Sequence, residues 1–243
     1  MLPKIDVPIY ELKLISSGKS VRFRPFLVKE QKLLLMATQS DDPKDSLNVV
    51  KQISKNCIID DIDVESLPVF DLEFIFLNLR ARSVNEVVNL QYKCNNKIKD
   101  ETGEEKACGS LEKFDINLLE VTPTKDPKHN TKIMLSEKLG ITMKYPTFEM
   151  VANLKSQDEN DILMELLVNC IDHIFDDENI YYTKDVTKEE LVDFIDNLQQ
   201  KDLEKIQQFF ETAPKIKKDL KFSCHKCGYK ENIVVEGLQN FFV

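Results

Sequence analysis

The chain of 243 residues is poor in glycine, histidine and tryptophan, with six Gly, three His and no Trp. An average protein carries about 7% glycine, and this one falls well short. The six are Gly18, Gly103, Gly109, Gly140, Gly228 and Gly237, and no two lie close together. A G-x-G-x-x-G fingerprint is therefore absent, and so is a full phosphate-binding P-loop. Gly18-Lys19-Ser20 copies the end of such a loop, but its first glycine would fall on Lys13. The segment reads instead as a turn. A long apolar run is also missing, so no stretch approaches the eighteen or so residues that span a bilayer. Met1 to Tyr10 holds Asp6 and two prolines and lacks the apolar centre of a signal peptide. Basic residues are the minority: 33 Lys and Arg face 42 Asp and Glu, for a net charge of -9. That balance argues against a general nucleic-acid binder, which shows a basic stripe, and against a polybasic membrane surface. The expectation is a cytosolic protein with reduced thiols.

What is present alternates between two periodicities. Ile9 to Leu14 and Val21 to Phe26 alternate apolar with polar around the polar turn Ile15 to Ser20, a hairpin pattern. Helical spacing follows over Lys29 to Gln39. A second helix runs from Asp42-Pro43, read as N-cap and first turn, to about Cys57. A third opens at Ser66-Leu67-Pro68 and places Phe70, Phe74 and Leu77 on one face. The period then changes. Val87 to Lys93 reads as a strand, Asn95 to Ala107 as a polar loop, and Leu111 to Ile116 as a returning strand. Val121 to Thr131 reads as a linker with an exposed His129. Ile133–Leu135 and Ile141–Met143 form a second hairpin. Glu159 to Phe175 keeps apolar residues at three-to-four spacing and reads as one helix. Thr187-Lys188-Glu189-Glu190 is a capping box before the next helix. Leu203 to Phe210 marks another helix, with Pro214 just past its end. Strands around Leu220–Phe222 and Ile233–Val235 precede an apolar tail, Leu238 to Phe242.

One constellation carries chemistry. Cys224-His225-Lys226-Cys227-Gly228 is a C-x-x-C-G knuckle. Two thiolates at this spacing can face one tetrahedral metal from a tight turn, and the glycine suits a positive φ. A redox pair is the competing use, but that motif opens a helix in a βαβ setting, and strands flank this one. Gln91-Tyr92-Lys93-Cys94 resembles Lys221-Phe222-Ser223-Cys224, and Cys108-Gly109 resembles Cys227-Gly228. Cys94 and Cys108 therefore read as the same knuckle with a long charged loop inserted. Together Cys94, Cys108, Cys224 and Cys227 form a zinc-ribbon-like site with halves from distant parts of the chain. Four ligands would close the coordination shell and make the zinc structural. The alternatives are small buried thiols or a disulfide within the C-terminal pair. His225 is the one substitute ligand within reach, although its place suits a solvent-facing turn. Cys57 and Cys170 lie on apolar helix faces and read as core, as does Cys170 with His173 one turn on. Asp60, Asp61, Asp63 and Glu65 lack the glycine and final glutamate of a calcium loop. No catalytic pairing follows from sequence order, and the expectation is a protein that is not an enzyme.

The fold class expected is α+β, with helical domains, β-hairpins and a discontinuous zinc-ribbon-like module. The segments are an N-terminal hairpin (1–30), a helical region (31–83), the first half of the ribbon-like module (84–120), a linker and hairpin (121–146), a second helical region (147–214), and the second half with the tail (215–243).

Several stretches in this order resemble one family. They are Leu2-Pro3-Lys4-Ile5, Tyr10-Glu11-Leu12, the Ser17-Gly18-Lys19 turn and Phe23-Arg24-Pro25-Phe26-Leu27-Val28-Lys29-Glu30. Phe70-Asp71-Leu72-Glu73, Arg80-Ala81-Arg82-Ser83, Thr187 to Leu191, Glu204 to Thr212 and the knuckle with Glu236-Gly237-Leu238 continue the pattern. Over nearly its whole length the chain resembles the T4-type bacteriophage baseplate hub and hub-assembly proteins. Members of that family often carry the first cysteines as a compact C-x-x-C, and this sequence departs there. The resemblance implies a phage protein acting in host cytoplasm during tail assembly, as a hub subunit in the virion baseplate or as an assembly factor that leaves. It implies other baseplate or tail proteins as partners, and no nucleic acid, membrane or small-molecule substrate. A transient chaperone for another tail protein, such as the tape measure, is the alternative, and a metal or thiol enzyme stands behind both. Phe23 to Phe26 and Leu238 to Phe242 are the candidate docking surfaces, with intramolecular packing as the competing use.

Overall fold

A computed structural model describes residues 6–37, 43–99, 103–154 and 158–241. Asp42, the proposed N-cap, Leu2–Ile5 of the family pattern and Phe242 of the tail lie outside the described residues.

The first hairpin pairs β1 (Tyr10–Lys13) with β2 (Ser20–Phe23). Gly18 closes its turn with φ +68 and a bond from its N–H to the Leu14 carbonyl, a backbone only glycine adopts without strain. Three helices follow: α1 (Val28–Ala37), α2 (Pro43–Cys57) and α3 (Val69–Ser83). Helix α3 is buried nearly all round, through Phe70, Leu72, Phe74, Ile75, Phe76, Leu77, Leu79 and Ala81. An all-round apolar helix belongs at the centre of a core, and the chain wraps it. Asp71 is its one buried carboxylate. It accepts bonds from the Ile15 N–H at 2.9 Å and from the Ser16 N–H and hydroxyl, so it anchors the hairpin turn to the helix.

Strand β3 (Val87–Lys93) follows, then β4 (Lys97–Lys99), β5 (Glu105–Ala107) and β6 (Leu111–Asn117). Strands β3 and β6 pair over their full length, from Val87 opposite Asn117 to Lys93 opposite Leu111. Asn95 to Ala107 is therefore not a plain loop: β4 and β5 form a small hairpin in it. Its side chains are exposed apart from the half-buried Ile98, so no apolar alternation marked it.

Val121 to Thr131 is more than a linker. It carries β7 (Pro123–Thr124), which later pairs with β12. After it come β8 (Lys132–Met134), β9 (Gly140–Met143), α4 (Phe148–Ala152) and α5 (Glu159–Cys170). Helix α5 stops at Cys170, short of the expected Phe175, and the chain turns directly into β10 (Ile171–Phe175) and β11 (Ile180–Tyr182). These four strands form an antiparallel sheet in the order β11-β10-β9-β8. Helices α6 (Lys188–Asp196) and α7 (Gln200–Thr212) follow. The capping box is present: Thr187 Oγ accepts from the Glu190 N–H, and the Glu190 carboxylate accepts from the Thr187 N–H. Strands β12 (Lys215–Ser223) and β13 (Lys230–Glu236) and a short 3-10 turn (Leu238–Phe241) end the described chain.

Two large cores result. One gathers Phe23, Ile53, Ile75, Leu77, Leu90, Ile116, Leu118, Ile216, Leu220, Val235 and Phe241 around α3. The other gathers Ile133, Ile141, Leu167, Ile171, Leu191, Ile206 and Phe209 between the four-stranded sheet and α5 to α7. The chain leaves the first core after Val121 and returns to it at Ile216. Phe23, Phe26, Leu238 and Phe241 are all buried, so these candidate docking surfaces are packed within the chain. The architecture is α+β. Among the described residues no helix is long and apolar enough to cross a membrane.

His129 belongs to this frame and is buried, not exposed as its polar neighbours suggested. Its ring stacks on Tyr145 and packs against Phe209. The Thr212 hydroxyl donates to the Gln208 carbonyl at 2.6 Å, so it accepts from His129 Nδ1–H at 2.9 Å. Nε2 is then bare and accepts the Tyr145 hydroxyl at 3.0 Å. This network fixes a neutral tautomer, and burial moves the imidazole below its ordinary pKa.

Candidate metal centre

Each half of the site is a strand pair that ends in a knuckle. In the first, β3 runs into Cys94, whose N–H donates to the Ser110 carbonyl at 2.8 Å. The Gly109 N–H returns to the Cys94 carbonyl at 3.0 Å, with Gly109 at φ +69. In the second, β12 runs into Cys224, whose N–H donates to the Tyr229 carbonyl at 2.9 Å. The Gly228 N–H returns to the Cys224 carbonyl at 2.9 Å, with Gly228 at φ +73. The two knuckles thus share one bond pattern, although residues 95–107 stand where His225 and Lys226 stand in the other. The Cys108 N–H donates to the Asn96 carbonyl at 2.8 Å, which closes the neck of the inserted hairpin.

The hairpins meet through their inner faces. Phe114 of β6 lies 6.3 Å from Phe222 of β12, ring centre to ring centre, and Tyr92 meets Phe114 edge-on. This contact brings the four sulfurs together from the middle and the end of the sequence. Cys94 Sγ lies 3.6 Å from Cys227 Sγ, and Cys108 Sγ lies 3.7 Å from Cys224 Sγ. All four lie within 4.8 Å of one another, and none is in a disulfide. The close pairs run between the halves. Cys94, Cys108 and Cys224 are buried, Cys227 is half-buried, and Phe222 with Ile98 and Ile233 helps wall the cluster.

A zinc–thiolate bond of about 2.3 Å places the sulfurs of a tetrahedron about 3.8 Å apart. The observed cross-pairs fit that edge. The site can hold a thiolate-binding metal with four protein ligands. Burial and local bonds shift three of its thiols in different directions. Burial disfavours the Cys224 thiolate, but the Cys227 and Lys226 N–H groups and the thiols of Cys227 and Cys108 outweigh it and bring its pKa down to about 6. Burial raises Cys94 to about 12. The Ser110 N–H favours the Cys108 thiolate, yet burial and the bonds with Cys224 and Cys227 push that thiol up. Four sulfurs this close cannot all ionise without a cation, so a metal entering here displaces protons.

His225 is not among the clustered ligands. Its side chain is exposed, and its ring Nδ1 meets the Glu112 carboxylate of β6. Its backbone N–H donates to the same carboxylate at 2.9 Å, which holds Glu112 below the usual carboxylate range. Glu112 therefore clasps one knuckle to the other. No local signal in the sequence marked it, because its partner lies on the other hairpin.

The remaining candidates fall elsewhere. Cys57 is buried beside Arg24, and burial raises its thiol to about 11. Cys170 ends α5 in the second core, and burial raises it to about 12. His173 lies on β10 and bonds Asp172 at 2.7 Å, so Cys170 and His173 do not share a helix turn. Asp60 is engaged by the Arg22 guanidinium at 2.7 and 2.9 Å. Among the described residues, no second group of three or more Cys, His, Asp or Glu is spaced to hold a metal.

Comparison with models of known families matches residues 7–243 to the T4 bacteriophage base plate protein family. No curated protein and no solved structure matches the chain.

Proposed function

The chain belongs to the T4 bacteriophage base plate protein family, and from that premise we propose that it is a hub subunit or hub-assembly factor that works by protein–protein contact around a structural zinc. The observation that carries the zinc reading is the closed four-sulfur cluster, with cross-pairs at 3.6 and 3.7 Å. Cys94, Cys108, Cys224 and Cys227 would hold the metal. Zinc suits four thiolates in a tetrahedral set, and such a set leaves no position for water or substrate. The metal then contributes binding free energy to folding. It joins β3–β6 to β12–β13, and so fixes where the returning chain sits against α3. The chain's partners are other baseplate or tail proteins, met in the host cytoplasm during assembly.

Co-purification of the tagged chain from infected cells, with mass spectrometry of purified virions, tests this reading. A hub subunit is found in the particle. An assembly factor, or a chaperone for another tail protein, co-purifies with baseplate or tail proteins and is absent from the particle. A chain that captures no baseplate or tail protein contradicts the proposal.

A further inference from the structure

A cleft of about 260 Å³ opens between the N-terminal end of α3 and the end of α7. Phe70 of α3 and Phe210 of α7 wall it, and Pro146, Ala213 and Pro214 continue the lining. Phe70 packs edge-on against Tyr145 at 5.0 Å, and Phe210 edge-on against Phe209 at 5.2 Å. The Val69 N–H donates to the Pro146 carbonyl at 3.1 Å, so the backbone ties α3 to the opposite wall. The walls are thus in place before anything enters. The volume is below the roughly 300 Å³ at which small-molecule sites begin, and it suits a single side chain.

Glu73 of α3 lines the same cleft. Its carboxylate accepts one long bond, from the Leu238 N–H at 3.5 Å. Among the described residues no Lys, Arg or His meets its charge, and the one other charge that acts on it is the Glu236 carboxylate. Burial and Glu236 push Glu73 above its ordinary pKa, against the pull of the Leu238 N–H. Lys215, which also lines the cleft, is engaged by Glu236 at 3.1 Å. Asp71, two residues earlier, differs: it has the Ile15 N–H and the Ser16 N–H and hydroxyl as donors. A carboxylate drawn out of water without a cation costs free energy, and Glu73 carries that cost in the chain alone.

Apolar walls and one uncompensated carboxylate define what fits. An acidic side chain would face both Glu73 and Glu236. An apolar one would cover the Glu73 carboxylate and leave it unpaired, which is strongly unfavourable. A cation on an apolar stem satisfies both features, because such stems lie along apolar surface while the head keeps its polar contacts. Arginine suits the cleft better than lysine. Its guanidinium is more weakly hydrated, meets a carboxylate through a two-pronged fork and stacks on aromatic rings. Arginine is also enriched among the few pocket-filling residues that anchor protein interfaces.

We propose that this cleft receives an arginine side chain of another baseplate protein, with the guanidinium on the Glu73 carboxylate and the methylene stem between Phe70 and Phe210. The incoming cation supplies the partner that Glu73 lacks within the chain. This inference rests on the reading of the chain as a component that works by protein–protein contact.

The test has two arms. In the first, N-acetyl-arginine methylamide is titrated into the purified full chain, and the amide resonances of Ala213, Gly237 and Leu238 are followed by NMR. Saturable shifts are expected there. The citrulline counterpart, similar in shape but uncharged, binds at least tenfold more weakly, and the lysine counterpart binds more weakly than arginine. Glu73→Gln keeps an acceptor for the Leu238 N–H, retains or raises the urea midpoint and loses the arginine effect. Ala213→Leu leaves the charge in place, narrows the cleft and weakens binding as well. Should either variant fail to fold, the arginine–citrulline comparison on the wild type carries the test. No saturable shift, equal binding of the citrulline probe, or undiminished binding in Glu73→Gln overturns the arginine pocket. A lysine probe that binds as tightly overturns the choice of arginine. In the second arm the full chain is titrated against each other baseplate protein of the same phage. At least one binds, and Glu73→Gln weakens it by tenfold or more. Wild-type affinity in both variants overturns docking at the cleft and leaves the baseplate reading in place. Failure of the wild type to bind any baseplate protein overturns the partner and counts against the baseplate reading itself, while the first arm still decides the pocket.

Discussion

Gly140 lies on β9 directly beneath the Phe175 ring, and a methyl group there would press into that ring. A Cβ at this position would stand 2.3 Å from Phe175 Cζ and 2.8 and 2.9 Å from the two adjacent ring carbons. Ordinary carbon contacts are about 3.5–4.0 Å, so the ring must move by more than an ångström. Its φ lies outside the positive range, so the position demands glycine by space and not by backbone angle. Overpacking of this kind costs about 1–3 kcal/mol. Displacing the ring also loosens its contact with the Lys132 ammonium, worth about 0.5–1 kcal/mol at an exposed site. Against this, Gly→Ala restricts the unfolded chain and stabilises by about 0.4–1 kcal/mol where the backbone tolerates it. Gly140→Ala is therefore expected to destabilise by about 1–2 kcal/mol. In a Phe175→Ala background the clash is gone, and the same substitution becomes stabilising by about 0.4–1 kcal/mol. Urea unfolding of the four proteins measures the cycle, with an unchanged m-value as the control. An equal loss in both backgrounds would place the cost in the backbone and not under the ring.

Two further outcomes follow from buried polar groups. His129 has a depressed pKa in the folded chain, so its contribution is complete above the unfolded value of about 6.5 and is lost as pH falls through the folded one. The urea midpoint of the wild type should drop over that interval, and His129→Gln should drop less; equal slopes contradict the neutral-tautomer assignment. Asp71→Ala leaves the Ile15 N–H without its acceptor, at a cost of about 1–3 kcal/mol. It should also speed exchange of that amide, with Asp71→Asn intermediate; an unchanged exchange rate would show that the hairpin does not depend on this anchor.

Much of this structure was legible from residue pattern. Val87 to Lys93 emerged as a strand with the expected ends, because alternation and a following cysteine bound it. Matching flanks relate the two cysteine pairs in the sequence, and the shared bonds of Gly109 and Gly228 give the physical reason: both knuckles make the same turn. What stayed hidden had physical reasons. Strand β10 passed for the end of a helix because a bulge between Ile171 and His173 buries Ile171 and Ile174, three residues apart, and so imitates helical spacing. The β4–β5 hairpin has no buried face to produce a signal. Burial of His129 depends on Tyr145, Phe209 and Thr212, and the Glu112–His225 clasp joins distant hairpins. Neither is a local property of the sequence.

The proposed metal centre joins two distant parts of the chain through Cys94, Cys108, Cys224 and Cys227. Zinc content per chain, measured on protein purified without chelator and on the four single Cys→Ser variants, tests it most directly. One zinc per wild-type chain, lost or sharply reduced in every variant, is the predicted result. A wild-type chain without stoichiometric zinc, or full retention after loss of any one of the four sulfurs, would rule out a shared four-sulfur site.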